Sequence, residues 1–298
     1  MSTDSSISIA VVTGGPTMEV EGTTASTEAV VAYLEASNFR PVVVDLARLD
    51  EAVSQLSDCD VVFNAVHGRG GEDGGVHYLA ALAGNVPVTG PAWWVHSLGA
   101  DKIGFKAWAS QYVRVPRNHD EPGKGSHRLI RKPRFGGGSI GLELLTVDQV
   151  GVVGADTVVE EFVAGRIVTC CIYPRLARRM PLLTIEPNGP VVYDEAAKRG
   201  RSDVAYRPVP ITAGWTERVW TGSARLYGLL GGCGPIRFDW IVEDTTDEPV
   251  LLEVNTNPGW RPKGNMGLIV SAAGLTYRAL VESVIAEAFD PQPISEQE

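Results

Sequence analysis

Arg237-Phe238-Asp239, followed after a short connection by Glu253-Val254-Asn255-Thr256-Asn257-Pro258-Gly259, is the stretch from which the rest of the chain is read. Pro235 to Val242 and Val250 to Val254 are strand-like apolar runs, and Asp244 to Pro249 between them is rich in turn formers. Side chains at i and i+2 of a strand share a face, so Arg237 projects with Asp239, and Glu253 with Asn255. Paired as a hairpin, the two strands gather two carboxylates, a carboxamide and a guanidinium into one small volume. Magnesium takes oxygen ligands of this kind together with substrate phosphates, and a guanidinium suits a phosphoryl group or an oxyanion. A hairpin with a charged solvent face and a Pro-Gly turn accounts for the same residues. Both readings stand until the remaining sequence is considered.

A chain of 298 residues is long enough for two or three modest domains. With 44% hydrophobic and 21% charged residues, a core of normal size is expected. A net charge of -10 and the lack of any basic run argue against a nucleic-acid surface. Met1 to Ser6 lacks the basic start and apolar centre of a signal peptide, and no apolar run approaches the length of a membrane span. The expectation is a cytoplasmic protein with no membrane partner. Cys59, Cys170, Cys171 and Cys233 show neither a CxxC pair nor a disulfide spacing, and read as reduced thiols in or near the core.

Ile7 to Thr13 is a β-branched run that stops at Gly14-Gly15-Pro16, and Thr24 to Ser37 then has helical spacing. Pro41 to Leu46, Leu49 to Leu56 and Asp60 to Val66 continue the alternation as strand, helix and strand. A small parallel α/β sheet is predicted, with sites at the carboxyl ends of its strands, where Glu19 and His67 fall. A helix over Gly75 to Ala83, a short strand over Val86 to Thr89 and one long helix over Ala92 to Tyr112 follow. Leu129 to Pro133 is a strand carrying Lys132, and Phe135 to Gly141 is a glycine loop. Val158 to Val163, Ile167 to Tyr173 and Leu182 to Glu186 are further strands of a mostly antiparallel region. Tyr193 to Asp203 is charged, short of aliphatics and reads as a mobile surface loop. Thr216 to Gly228 is an amphipathic helix, and Leu268 to Phe289 holds one or two more.

Seven segments in this order resemble the ATP-grasp superfamily and, within it, the D-alanyl-D-alanine ligase family. They are Gly14 to Glu19, His67 to Gly74, Asp101-Lys102, Lys132-Pro133 with Gly136 to Gly141, Glu160 to Val163, Tyr193-Asp194 with Lys198, and Arg237 to Gly259. Taken singly, Lys102 and Lys132 are ordinary solvated lysines and Gly136 to Ser139 an ordinary linker; their order along nearly the whole chain sets them apart. The resemblance implies an α/β chain, α+β in its C-terminal half, with an N-terminal Rossmann-like domain ahead of the ATP-grasp fold. It divides the chain into 1–91, a reduced central subdomain over 92–163, and a C-terminal subdomain over 164–298.

The activity implied is ATP-dependent ligation of a carboxylate to an amine, forming an amide between two amino acids or within one, through an acylphosphate. Phosphoryl transfer rests on positioning and charge neutralisation. By the resemblance, Lys102 and Lys132 hold the α and β phosphates, Lys198 closes over the γ-phosphate, and Gly137, Gly138 and Ser139 supply amide donors. Adenine lies against Glu160, Glu161, Phe162 and Val163. Asp239, Glu253 and Asn255 hold two magnesium ions, with manganese as the alternative. Arg237 and the amide of Gly259 stabilise the acylphosphate and the tetrahedral oxyanion. Glu19 holds the ammonium of the first amino acid and belongs to a closing network with Ser139, and His67 lies near that amino acid's carboxylate. A homodimer is also implied.

Departures from the family pattern fall on the substrate side. The serine that binds the second substrate's carboxylate is replaced by Gly264, beside Asn265, in Trp260-Arg261-Pro262-Lys263-Gly264-Asn265. Lys263 or Arg261 then offers another anion site, or Trp260 packs an apolar group. The aromatic after the loop lysine is Arg199, and His77 stands where a glutamine is common. The ribose-binding glutamate falls on Ile167, so that Glu161 or another carboxylate binds the ribose hydroxyls, or those contacts are absent. The helix between the two phosphate lysines is largely missing. These features favour a ligase of altered acceptor range. An authentic D-alanyl-D-alanine ligase and an ATP-binding module without turnover remain as alternatives.

Overall fold

Ile9 to Val12 are completely shielded, as befits a strand buried on both faces. This strand, β1 (Ser8–Thr13), lies between β2 (Arg40–Asp45) and β3 (Val61–Asn64) in a parallel sheet of order β2-β1-β3. The computed structural model describes residues 6–119, 128–187 and 204–291. Among them, eleven strands form three sheets. Ile9 and Val11 face α1 (Val20–Glu35), while Ala10 and Val12 face α2 (Leu49–Ser57) and α3 (Gly75–Leu82). Val86 to Thr89 contributes only an isolated bridge, Val62 to Val88, rather than the expected strand.

The expected single helix over Ala92 to Tyr112 is two, α4 (Trp93–Ala100) and α5 (Lys102–Ala109). Asp101 between them is extended, and its carboxylate accepts from the Ile103 N–H at 3.0 Å, a side-chain N-cap. Arg134 donates to the same carboxylate at 2.7 and 2.5 Å, and the Lys102 N–H donates to the Arg134 carbonyl at 3.2 Å. The break thus starts a helix at Lys102 and ties that start to the segment carrying the glycine loop.

The second sheet is small and antiparallel: β4 (Arg128–Pro133) between β5 (Glu143–Thr146) and β6 (Thr157–Glu161). Arg117 to His119 run along the outer edge of β6 and use its backbone groups. The third sheet has the order β11-β10-β7-β8-β9, from β7 (Gly165–Ile172), β8 (Leu182–Pro187), β9 (Val204–Val209), β10 (Ile236–Glu243) and β11 (Pro249–Asn255). Cys170, Phe238 and Trp240 pack under α6 (Trp215–Leu229) and against α4 and α5. Cys171, Tyr173 and Leu183 face the other way, into a core shared with β1, α1, α7 (Asn265–Ala272) and α8 (Tyr277–Phe289). All four cysteines are free. Among the described residues no single helix is long and apolar enough to cross a membrane.

Candidate active site between the hairpin, a lysine cluster and the glycine loop

The antiparallel register of β10 and β11 places Arg237 opposite Asn255 and Asp239 opposite Glu253. The register slips after Asp239, a bulge that ends the polar face where apolar packing begins. Arg237 donates from Nε to Asp239 Oδ1 at 3.0 Å and from Nη2 to Oδ2 at 2.7 Å, and the Thr169 hydroxyl donates to Oδ1. Asn255 Oδ1 accepts from the Asn257 N–H at 3.1 Å, which fixes the carboxamide. Among the described residues no three His, Cys, Asp or Glu side chains cluster as a metal site. The set here is two carboxylates and a carboxamide, all oxygen donors, and it fits a hard divalent cation that shares its shell with phosphates.

Beside the hairpin lies a buried charge cluster. Lys132 on β4 and Glu160 on β6 are diagonal neighbours in the strand register, and Lys106 reaches the same carboxylate from α5. Each lysine donates to one oxygen of Glu160, which is 1% exposed. Burial acts to lower the Lys132 pKa, but the negative charges of Glu160 and Glu253 outweigh it and hold it above the ordinary lysine value. Burial and then the charge of Lys132 push Lys106 down to about 7. Burial acts to raise the Glu160 pKa, and the two ammonium groups overcome it to keep the carboxyl below its usual value. The Lys102 ammonium donates to the Gly136 carbonyl. Lys106 was not among the residues expected from sequence. Its signal was the i+4 spacing from Lys102, which puts both on one helix face.

The loop around Glu19 meets the glycine loop. The Thr17 hydroxyl donates to the His67 carbonyl and accepts from the Glu19 N–H at 3.0 Å. A Cβ on Gly137 would come within 2.7 Å of Glu19 Oε1, and one on Gly68 within 3.1 Å of the same atom. The carboxylate therefore sits between two glycines from loops far apart in the chain. Ser139 holds φ at 59°, a left-handed conformation uncommon outside glycine. His67 is buried, with Nε2 2.7 Å from Ser26 Oγ and Nδ1 3.1 Å from the Asn257 carbonyl. Its ring joins β3 to the turn after β11. The neighbouring imidazoles of His77 and His96 lie tilted at 49° to each other with centroids 5.2 Å apart.

Three expectations change in position. Trp260 does not line a substrate pocket: it is 2% exposed, edge-on to Phe63 at 4.8 Å, and its Nε1–H donates to the Asn64 carbonyl at 3.1 Å. The indole is part of the core between two sheets. Both oxygens of Glu161 accept from Arg117, through Nε at 2.8 Å, Nη2 at 2.6 Å and the backbone N–H at 3.2 Å, so ribose hydroxyls must compete with that pair. Phe162 already carries the Arg128 guanidinium on one ring face at 4.5 Å. Arg261 and Lys263 are exposed, and Gly264 is the N-cap of α7, which Asn265 begins. Lys198 and Arg199 lie outside the described residues.

Residues 129–286 match a family model described as the D-ala D-ala ligase C-terminus. A D-alanine–D-alanine ligase of Albidiferax ferrireducens is 33% identical, over 94% of this chain and 86% of its own length. One of Syntrophotalea carbinolica is 27% identical over 94% and 95%. The crystal structure of D-alanine–D-alanine ligase from Bacillus anthracis complexed with ATP superposes with a TM-score of 0.76 at 21% identity, covering 95% of this chain and 98% of that one. VanG D-Ala:D-Ser ligase from Enterococcus faecalis superposes with a TM-score of 0.73 at 20% identity, over 95% and 99%.

Proposed function

This chain belongs to the D-alanine–D-alanine ligase family, and we propose that its residues activate the carboxylate of one amino acid as an acylphosphate and pass it to the amine of a second. It has the ATP-grasp fold and is an ATP-dependent, ADP-forming C–N ligase that draws on a divalent cation. The observation that carries the residue-level reading is the cross-strand pair Asp239 and Glu253, with Asn255 on the same face, beside a Lys132 ammonium held charged by Glu160 and Glu253.

Asp239, Glu253 and Asn255 would hold the cation, magnesium with manganese as the alternative, since both take oxygen donors of this kind. When bound, it neutralises charge on the phosphate oxygens. Lys102 and Lys132 hold the α and β phosphates, and the amides of Gly137, Gly138 and Ser139 donate to them. Lys198 takes the γ-phosphate. Adenine lies along Glu160 to Val163. Glu19 holds the donor's ammonium, and His67 positions the Asn257 to Gly259 turn below it. The donor carboxylate attacks the γ-phosphorus and ADP leaves; the acceptor amine then attacks the acyl carbon and phosphate leaves. Arg237 turns from Asp239 to the acylphosphate and, with the Gly259 N–H, stabilises the oxyanion between those steps.

Gly264 in place of a serine, with Arg261 and Lys263 exposed just before it, favours an acceptor other than D-alanine. The second reading is D-alanyl-D-alanine formation, favoured by the D-alanine–D-alanine ligases to which 94% of the chain is similar. In either case we place the reaction in the cytoplasm and expect a homodimer, with 1–91 as the N-terminal domain and 92–163 and 164–298 as the two ATP-grasp subdomains. The test is phosphate release with magnesium and ATP against D- and L-amino acids, singly and in pairs. D-alanine alone as the best substrate selects the second reading; no stimulation by any amino acid leaves only an ATP-binding module.

A further inference from the structure

Glu160 is shared by two ammonium groups, one on each carboxylate oxygen, and all three side chains are buried, at 1% exposure for Glu160, 6% for Lys106 and 7% for Lys132. A lone Lys132–Glu160 pair would already be balanced in charge. The third member is a buried amine that the pair does not need while Lys132 stays on Glu160, and burial with the charge of Lys132 holds it near half-protonation at neutral pH. Its presence makes sense if Lys132 acquires a second partner. In the ligase reading, on which this inference rests, that partner is an ATP phosphate. A Lys132 that leaves Glu160 strips a buried carboxylate of its counter-charge, which is strongly destabilising. The loss would be deducted from nucleotide binding.

Lys106 is built to prevent it. It sits one turn beyond Lys102 on α5, and the start of that helix is pinned by the Asp101 cap and the Arg134 clamp. Its Nζ already donates to the oxygen of Glu160 that Lys132 does not use. We propose that Lys106 is a positioning residue that keeps Glu160 neutralised while Lys132 turns to the phosphates of ATP. The lowered pKa of Lys106 agrees with this order: repulsion from Lys132 is relieved when Lys132 moves toward phosphate, so nucleotide binding strengthens the hold of Lys106 on Glu160.

The experiment is calorimetric titration of ADP with magnesium, together with KM and kcat, on the unmutated chain and on Lys106→Met, Lys106→Arg, Glu160→Gln and the double variant that combines Lys106→Met with Glu160→Gln. Lys106→Met should weaken ADP binding roughly tenfold and raise KM for ATP, with KM for amino acids unchanged. Lys106→Arg should restore most of the affinity, since charge rather than packing is at issue. The discriminating comparison is the double variant. Once Glu160→Gln has removed the buried charge there is nothing to neutralise, so Lys106→Met should cost ADP affinity less than about twofold in that background. A full tenfold loss there, or none with Glu160 intact, overturns the inference while leaving the ligase reading in place. If Lys106→Met fails to fold, Lys106→Gln replaces it in both backgrounds, and the same two comparisons decide. An unmutated chain that binds no ADP overturns both.

Discussion

Two neighbouring lengths of one segment use their polar side chains in opposite ways. From Ile236 to Asn255 the polar groups meet one another on one face of a strand pair, Arg237 bonded along its own strand to Asp239, and Asp239 opposite Glu253 on the next. From Thr256 to Trp260 they reach into the rest of the molecule. Thr256 Oγ1 lies 2.8 Å from His96 Nδ1, the Asn257 Nδ2–H donates to the Val66 carbonyl at 2.8 Å, and the Trp260 N–H donates to Ser26 Oγ at 3.2 Å. The first length satisfies its charged groups close to the hairpin, while the second holds the N-terminal sheet against the C-terminal one. Substitutions in the first should cost turnover and spare the fold, and those in the second the reverse.

The largest effect expected is from Glu253→Gln, which keeps shape and removes the charge that the proposed cation site would need. Phosphate release should fall by about 10²–10³-fold, the scale on which loss of one transition-state charge partner is felt. Thermal unfolding should stay within a few degrees of the unmutated chain. A variant that melts early yet turns over normally would erase the distinction between the two lengths. On the other side of it, Trp260→Ala should cost about 3–5 kcal/mol in denaturant unfolding, from the lost burial and the cavity left beside Phe63. A cost below about 1 kcal/mol would mean that the indole is dispensable to the core.

Glu19→Gln comes next. It keeps the contacts with Gly68 and Gly137 and removes the charge that would hold an ammonium. KM for the first amino acid should rise by about tenfold, the scale of one hydrogen bond to a charged group, with KM for ATP nearly unchanged. Equal rises in both constants would detach Glu19 from the donor site.

What was legible in the sequence was what local periodicity writes. Strand alternation put Arg237 with Asp239 and Glu253 with Asn255, and the apolar run of β1 announced a buried parallel strand. What was not legible depends on partners distant in the chain. The break at Asp101 lies inside a continuous helical pattern, and it becomes a cap because Arg134, 33 residues on, clamps the carboxylate. Trp260 looked available for a substrate because nothing near it in sequence buries it; Phe63 and Asn64 do. Glu161 looked free for ribose until Arg117 met it across the edge of β6. Lys106 carried a local signal, the i+4 step from Lys102, but its meaning depends on Glu160.

The smallest effect concerns pH, and it tests whether the turn after β11 is held as described. His77 on α3 and His96 on α4 are packed together, and His96 hydrogen-bonds Thr256 in that turn. Burial lowers His77 to about 4, and burial with the neighbouring His77 lowers His96 to about 3. In the unfolded chain both titrate near 6.5. Between 6.5 and about 4 the unfolded chain therefore binds protons that the folded chain refuses. The stability is complete above 6.5 and falls as pH falls through that window. From pH 7 to 6 the loss is under about 1 kcal/mol for each imidazole, because titration of the unfolded chain has only begun. The lowered carboxyls of Asp101 and Glu160 act in the same direction, but only at pH values nearer their own ordinary range, so the two contributions separate on the pH axis. Denaturant unfolding of His77→Gln at pH 7, 6 and 5 should show about half the acid loss of the unmutated chain. An undiminished slope would mean that His77 already takes up its proton in the folded state, and that the contact between α3, α4 and Thr256 is wetter than its burial implies.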